Sequence, residues 1–148
     1  MRAGEGRVLI DTNILIYATL ENDPRSKRAR DLLLSDSGKE RFTSVQNLAE
    51  MYPNLTGSRM EKPDEPAVAR AKIQSIASLP SLQVLPLTGD VQTIALELCE
   101  KYGIIRQRYY DAQIAATMIV HGIRVLFTEN DRDFKDMTEI KAVNPFAA

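Results

Sequence analysis

The chain has 148 residues, of which 44% are hydrophobic and 26% charged, a balance typical of one soluble globular domain. A net charge of −1 excludes a protein that attracts nucleic acid through its overall positive charge, so such a ligand needs local basic residues or metal ions. A single cysteine excludes an internal disulfide and suits a reducing compartment. The first apolar run is interrupted at Asp11, so we expect neither a signal peptide nor a membrane span and predict a cytoplasmic protein.

The first half of the chain alternates between segments that resemble strands and segments that resemble helices. Pro24 suits the first turn of a helix, and Ser44 suits a helix N-cap. Residues 58–66 contain two prolines and indicate a polar loop. The predicted elements are a strand over 7–10, helices over 13–20 and 24–35, a strand over 41–43 and a helix from Ser44 to about residue 54.

The second half continues the alternation. Thr88 is a good N-cap, and Gly103 and Gly122 are good helix ends. The predicted elements are a helix to about residue 78, a strand over 82–85, helices over 88–103 and 110–121, and strands over 125–127 and 142–143. Several strand-then-helix units predict an α/β fold with a central, mostly parallel sheet flanked by helices on both faces. Ligands bind beyond the carboxyl ends of such strands, so polar residues there are the candidates for a site.

Two polar segments follow predicted strands directly. Asp11 follows the first strand, where a carboxylate in the crevice and a simple helix cap are equally good interpretations. Residues 128–133, with the sequence TENDRD, follow the strand over 125–127. Taken alone they indicate a solvated turn. Both strands, however, direct acidic or amide groups to the same edge of one sheet, which favours a functional site.

Two further acids lie on predicted helices. Asp111 shares a helical face with the apolar Ile114, Ala115 and Met118, so it borders the core or a cleft. A capping role explains it as well, but an unpaired carboxylate is costly to bury and a metal ion would offset that cost. Glu50, taken alone, is an ordinary exposed glutamate.

Four polar positions in one sheet domain indicate a metal site more than a pair of acid–base groups. Mg²⁺ and Mn²⁺ prefer carboxylate, amide and water oxygens, and such ions activate water against a phosphodiester. The sequence has no G-x-G-x-x-G turn, no phosphate-binding P-loop, no Cys/His set with zinc spacing and no G-x-S-x-G turn.

The order and spacing of four segments resemble the PIN-domain family, in particular its VapC-like toxin ribonucleases. The matching segments are VLIDTNIL at 8–15, TSVQNLAE at 43–50, YDAQIAA at 110–116 and GIRVLFTENDRDF at 122–134, followed by NPF at 144–146. The resemblance implies one nuclease domain over residues 1–148, built as a three-layer sandwich. It also implies an acidic site that binds Mg²⁺ or Mn²⁺ and cuts single-stranded RNA.

The site residues implied by this resemblance follow from matching positions. The first three acids of the family fall on Asp11, Glu50 and Asp111, and the fourth position falls on Asn130, where many relatives have Asp. The neighbouring Asp131 is an alternative fourth ligand. The catalytic set is therefore Asp11, Glu50, Asp111, Asn130 and Asp131, and the metal ligands are Asp11, Glu50, Asp111 and Asp131.

Other residues are candidates for contact with RNA. Thr12, Asn13 and Thr128 resemble the family's polar groups that orient carboxylates. Arg106 and Arg108 lie just before Asp111, where arginine can bind phosphate, although an ordinary polar loop explains them almost as well. Asp133 with Phe134 resembles a structural pair of the family.

The resemblance also implies partners. VapC-like proteins form homodimers and are neutralised by a separate antitoxin. Met51, Tyr52 and Leu55 either form an apolar groove for that protein or pack in the core. The rival interpretation is a catalytically weak PIN-like module that binds RNA or protein. A phosphohydrolase of the haloacid-dehalogenase type ranks last, because the Asp11-Thr12-Asn13 motif lacks its second Asp.

Overall fold

The structure is a computed structural model that describes residues 6–35 and 37–147. Its sheet has the strand order β3-β2-β1-β4-β5, and every neighbouring pair is parallel. β1 lies at the centre, where Leu9 is in register with Phe42 on one side and Leu126 on the other. The strands are β1 (Arg7–Ile10), β2 (Glu40–Ser44), β3 (Leu82–Leu85), β4 (Val125–Phe127) and β5 (Lys141–Val143).

Helices connect the strands, as parallel pairing requires. Two short 3-10 helices, Arg106–Arg108 and Asp131–Phe134, complete the described elements. The first of these was not predicted from the sequence. The α-helices are α1 (Thr12–Thr19), α2 (Ser26–Leu34), α3 (Val45–Leu55), α4 (Pro66–Ala77), α5 (Gly89–Tyr102) and α6 (Tyr109–Val120).

The two faces of the sheet carry separate helical layers. Successive side chains of a strand point to opposite faces, so Val8 and Ile10 pack with α1 to α4 whereas Leu9 packs with α5 and α6. Met51 and Leu55 are fully buried in the first layer, and the suggestion that they line a surface groove is therefore wrong. The predicted three-layer α/β architecture is confirmed.

Several helix boundaries follow from local hydrogen bonds. The Ser44 Oγ accepts from the backbone N–H of Asn47 (3.1 Å), and the Thr88 Oγ1 accepts from that of Val91 (3.3 Å). Both caps were predicted. Gly103 ends α5 with a φ of 64°, a left-handed conformation that glycine adopts without strain. The prediction for Pro24 was wrong, because α2 begins at Ser26.

The topology brings chain segments that are distant in sequence to one edge of the sheet. Asp11 follows β1, Thr128 follows β4, and α3 follows β2. The backbone N–H of Asp11 donates to the carbonyl of Phe127 (3.0 Å), so the two strand ends are held side by side. No helix in the part of the chain that the structure describes is long and apolar enough to cross a bilayer.

Candidate active site

Asp11 lies at the centre of this edge and receives three hydrogen bonds. Its Oδ1 accepts from the backbone N–H of Thr12 (2.8 Å) and from the Nδ2 of Asn47 (3.0 Å). Its Oδ2 accepts from the hydroxyl of Thr128 (2.7 Å). These donors come from α1, α3 and the end of β4, so they hold the carboxylate in one orientation.

The environment of Asp11 opposes its ionisation. The residue is 6% exposed, and burial raises the pKa of its carboxyl from 3.8 to about 6. The negative charges of Glu50 and Asp133 act in the same direction, whereas the hydrogen bonds from Thr128 and Thr12 lower the pKa. The rise remains despite these hydrogen bonds, and within residues 6–35 and 37–147 no Lys or Arg side chain forms an ion pair with Asp11.

Glu50 faces Asp11 from α3. Its Oε2 accepts from the Thr12 hydroxyl (3.2 Å), and its Oε1 accepts from the Nε2 of Gln46 (2.8 Å). The Thr12 hydroxyl in turn accepts from the Asn47 Nδ2 (3.2 Å), which also contacts Asp11. The two carboxylates are therefore joined through Thr12 and Asn47, and they have a fixed relation to each other.

Asp111 approaches from the first turn of α6. Burial raises the pKa of its carboxyl to about 7, and the charges of Asp133, Asp11 and Glu50 add to this rise. The guanidinium of Arg108 lowers the pKa but does not cancel the other effects. Three helices and two strand ends thus bring negative charges together with little positive charge among them.

The three acids line one cavity of about 170 Å³. Within residues 6–35 and 37–147, no three Asp, Glu, His or Cys side chains are grouped closely enough to form a ready set of metal ligands. The carboxylates therefore share the cavity walls without meeting at one point. A second cavity of about 690 Å³ adjoins the first. The lining of the first cavity consists of Asp11, Thr12, Asn13, Ile16, Glu50, Asn54, Asp111, Ile114, Asn130 and Phe134.

The loop after β4 is tied to the same cavity. Thr128 is fully buried, and its hydroxyl accepts from the backbone N–H of Asn130 (3.0 Å) and from the Nδ2 of Asn13 (3.3 Å). The Asn13 Oδ1 accepts from the backbone N–H of Glu129 (3.2 Å). Thr128 therefore links the loop, α1 and the Asp11 carboxylate.

This geometry agrees with a comparison of the whole sequence with known families. The sequence profile of the PIN domain matches residues 8–140. The chain belongs to the PIN domain family. A curated relative, Ribonuclease VapC24 of Mycobacterium tuberculosis, is 26% identical over 145 residues, which cover 94% of this chain and 97% of the relative.

Solved structures share the PIN-domain fold. VapC20 of M. tuberculosis, described as a toxin that cleaves the sarcin-ricin loop, has a TM-score of 0.67 and 21% identity over 90% of this chain and 98% of its own. VapBC2 of Rickettsia felis, bound to a promoter DNA fragment, has a TM-score of 0.64 and 22% identity over 93% and 98%. VapBC of Salmonella typhimurium, also bound to DNA, has a TM-score of 0.66 and 24% identity over 94% and 98%.

The acidic residues predicted for this PIN domain are only partly brought together. Asp11, Glu50, Asp111 and Asn130 line the cavity, whereas Asp131 is not among its lining residues. Asp131 begins the 3-10 helix after Asn130.

Asp133, described from the sequence as structural, affects two of the acids electrostatically although it is not among the residues that line the cavity. The charge of Asp133 raises the pKa of both Asp11 and Asp111. The position of Asp133 in the polar segment after β4 was a signal for this effect in the sequence. The 3-10 turn that orients its side chain could not be predicted from the sequence.

The two arginines predicted to contact RNA, Arg106 and Arg108, differ in their surroundings. The Nη2 of Arg108 donates to the backbone carbonyl of Asp133 (3.0 Å), and its charge reaches Asp111. Arg106 lines a separate surface cavity with Gln107, Tyr109 and Tyr110. Its φ of 55° is uncommon for a residue other than glycine.

Sequence reasoning missed one direct contact of the site. Asn47 is fully buried and its amide donates to Asp11 (3.0 Å). Its backbone N–H also donates to the Oγ of Ser44, the N-cap of α3 (3.1 Å). The signal was its position three residues after a predicted cap at the end of a strand, where it faces the same sheet edge.

Proposed function

We propose that this PIN domain is a divalent-metal-dependent endoribonuclease that cuts single-stranded RNA and acts as the toxin of a toxin–antitoxin pair. The observation that carries the proposal is the convergence of Asp11, Glu50 and Asp111 on one cavity from three distant segments. Membership of the PIN family and a relative named as a ribonuclease support the same activity.

The chemistry of the donor set fits Mg²⁺ or Mn²⁺. The cavity offers carboxylate oxygens, which hard cations prefer. Two of the acids have raised pKa values because they are desolvated and repel one another. A bound divalent cation would remove that repulsion and would polarise a phosphate and a water molecule. We expect Asp11, Glu50 and Asp111 to hold it, with Asn130, which also lines the cavity, as a further oxygen donor. Asp131 and Asp133, which are not among the lining residues, stay alternatives for a fourth carboxylate.

The residues of the chain have separate roles in hydrolysis. A water oxygen bonds to phosphorus and gives up a proton, the bond from phosphorus to the leaving oxygen breaks, and that oxygen takes up a proton. Thr12, Asn47 and Thr128 keep the carboxylates oriented before RNA arrives, so little reorganisation accompanies the reaction. Arg108, which lies beside Asp133, is placed to bind a phosphate of the strand. Contact of Thr12, Asn13, Thr128 and Arg106 with RNA stays a prediction.

A cleavage assay tests the proposal. Labelled single-stranded RNA is incubated with Mn²⁺, with and without EDTA, using the wild type, Asp11→Asn and the control Asp31→Asn. Asp31 lies on α2 with 51% of its side chain exposed. We expect wild type and control to cut the RNA, and EDTA or Asp11→Asn to abolish cutting. Cutting by Asp11→Asn, or Mn²⁺-independent cutting, contradicts the proposal. A lack of cutting with retained RNA binding supports the binding-module alternative.

We also propose a protein partner of the antitoxin kind. A structural neighbour is a toxin–antitoxin complex from Klebsiella pneumoniae, with a TM-score of 0.63 over 95% of this chain. An apolar groove of about 570 Å³ between α2 and α4 includes the exposed Leu34 and Val68, where an apolar segment of such a partner would be buried. Copurification of a stoichiometric small protein from the source organism is expected, and loss of it in Leu34→Glu locates the surface. The homodimer and the cytoplasmic location stay predictions.

A further inference from the structure

Gln46 connects the two helices that carry the second and third acids. It lies on α3, one turn before Glu50, and is 7% exposed. Its Nε2 donates to the Glu50 Oε1 (2.8 Å) and to the backbone carbonyl of Tyr110 (2.9 Å). Tyr110 immediately precedes Asp111 in the first turn of α6. One amide group therefore contacts the side chain of one acid and the backbone beside another.

Gln46 is itself held by a second buried amide. The Nε2 of Gln113, also 7% exposed, donates to the Gln46 Oε1 (2.8 Å). The Gln113 Oε1 accepts from the hydroxyl of Tyr109 (3.1 Å). A chain of hydrogen bonds thus runs from Tyr109 through two glutamines to Glu50.

The direction of every bond in this chain is determined by its ends. The Tyr110 carbonyl can only accept, so the Gln46 amide must turn its NH₂ toward it, and the same NH₂ then also faces Glu50. Its oxygen is then left for Gln113, which must donate. A flipped amide at Gln46 would set two oxygens against each other in a buried site, which is costly. The chain therefore has one arrangement with all groups paired.

We propose that Gln46 is a positioning residue that fixes the separation and orientation of Glu50 and Asp111 for a divalent cation, and that Gln113 acts through it. The proposal rests on the proposed function, since it assigns the metal to these acids. Groups that hydrogen-bond to the metal-ligating side chains, without binding the metal themselves, change metal affinity or activity by about 10- to 100-fold when they are removed. Gln46 has the matching features, because it is buried, fully paired and in contact with both elements.

The test replaces Gln46 with Met, which has a similar length but neither donates nor accepts strongly. Mn²⁺ affinity is measured from the electron paramagnetic resonance signal of free Mn²⁺, and the melting temperature is measured in EDTA. We expect Gln46→Met to bind Mn²⁺ at least about tenfold more weakly and to lower kcat while KM for RNA is kept. The exposed Gln74→Met on α4 is the matched control and should change neither quantity. A lower melting temperature with unchanged Mn²⁺ affinity shows a merely structural role and overturns the proposal.

A second variant tests the chain of hydrogen bonds from Tyr109 to Glu50, and it keeps the proposal testable if Gln46→Met does not fold. Gln113→Met is expected to weaken Mn²⁺ binding in the same direction, and the double variant to bind no more weakly than Gln46→Met, because residues in one network are not additive. Additive losses overturn the route through Gln46. Asp11→Asn separates the two proposals. If it retains Mn²⁺ binding and cleavage, the proposed function fails. If it loses both while Gln46→Met loses neither, only the positioning role fails.

Discussion

Replacing Asp11 with Asn is expected to make the metal-free protein more stable at high pH. The wild-type carboxyl has a pKa of about 6 in the folded protein against 3.8 for the ordinary group. The folded state therefore holds the proton more tightly than the unfolded state. Below about pH 4 the carboxyl is protonated in both states and does not reduce the free energy of unfolding. As the pH rises through about 6, the free energy of unfolding of the wild type falls, and the loss reaches about 3 kcal/mol.

The hydrogen bonds of Asp11 set the part of the effect that does not depend on pH. An Asn oxygen can accept from the Thr12 N–H and the Asn47 amide as the Asp11 Oδ1 does. The Asn NH₂ would then face the Thr128 hydroxyl, which already accepts from the Asn130 N–H. The Thr128 proton loses its acceptor, which costs about 1 kcal/mol. The net gain at about pH 8 is therefore about 2 kcal/mol.

Urea denaturation in EDTA measures this difference. The chain has no Trp, so unfolding is followed by far-ultraviolet circular dichroism at about pH 4 and about pH 8. The free energy of unfolding of Asp11→Asn relative to wild type should rise by about 3 kcal/mol between these pH values. Asp31→Asn, at an exposed position, should shift by less than about 1 kcal/mol. A shift for Asp11→Asn as small as that of the control would refute the reasoning, since the buried carboxylate would then carry no penalty.

Three further measurements test the groups around Asp11 and Asp111. Mn²⁺ binding should release protons at about pH 6 but not at about pH 8, because the pKa values of Asp11 and Asp111 are raised to about 6 and about 7 without metal. Calorimetry in buffers of different ionisation heat measures this release. A binding enthalpy that does not depend on the buffer at the lower pH contradicts the prediction. Thr128→Val removes the hydrogen bond to Asp11 (2.7 Å) and should lower the unfolding free energy by about 2 kcal/mol at about pH 8, with a smaller loss at about pH 4. Arg108→Gln should reduce the slope of the logarithm of the RNA-binding constant against the logarithm of salt concentration by about 0.7, the value for one phosphate contact on a single strand. The exposed Arg124→Gln should leave this slope unchanged. Equal slopes for wild type and Arg108→Gln would exclude the contact.

Local signals in the sequence were sufficient for the scaffold. The strand bounds 7–10, 82–85 and 125–127 agree with the structure, because each segment is short and largely apolar and is bounded by polar residues, glycine or proline, a length that favours a strand over a helix. The Pro24 prediction failed for a local reason. The Asp23 Oδ1 accepts from the backbone N–H of Arg25 (2.8 Å), which forms an Asx turn and delays the helix.

The site was harder to predict than the scaffold, because its members meet only in space. Asp11 and Thr128 follow adjacent strands, and that placement is readable from the parallel topology. Asp131 and Asp133 lie in a 3-10 turn of four residues, where neighbouring side chains differ in direction by about 120°, so the sequence does not show which of them is nearer the other acids. The contact between Gln46 and Gln113 is set by the packing of α3 near α6, which no local pattern encodes.

Diffraction from crystals soaked with Mn²⁺, recorded at the manganese absorption edge, would show whether Asp11, Glu50 and Asp111 hold a cation. We predict an anomalous peak inside the cavity with carboxylate oxygens of Asp11, Glu50 and Asp111 around it, and none there in Asp11→Asn. A fully occupied peak elsewhere on the chain, with the cavity empty at saturating Mn²⁺, would contradict the account.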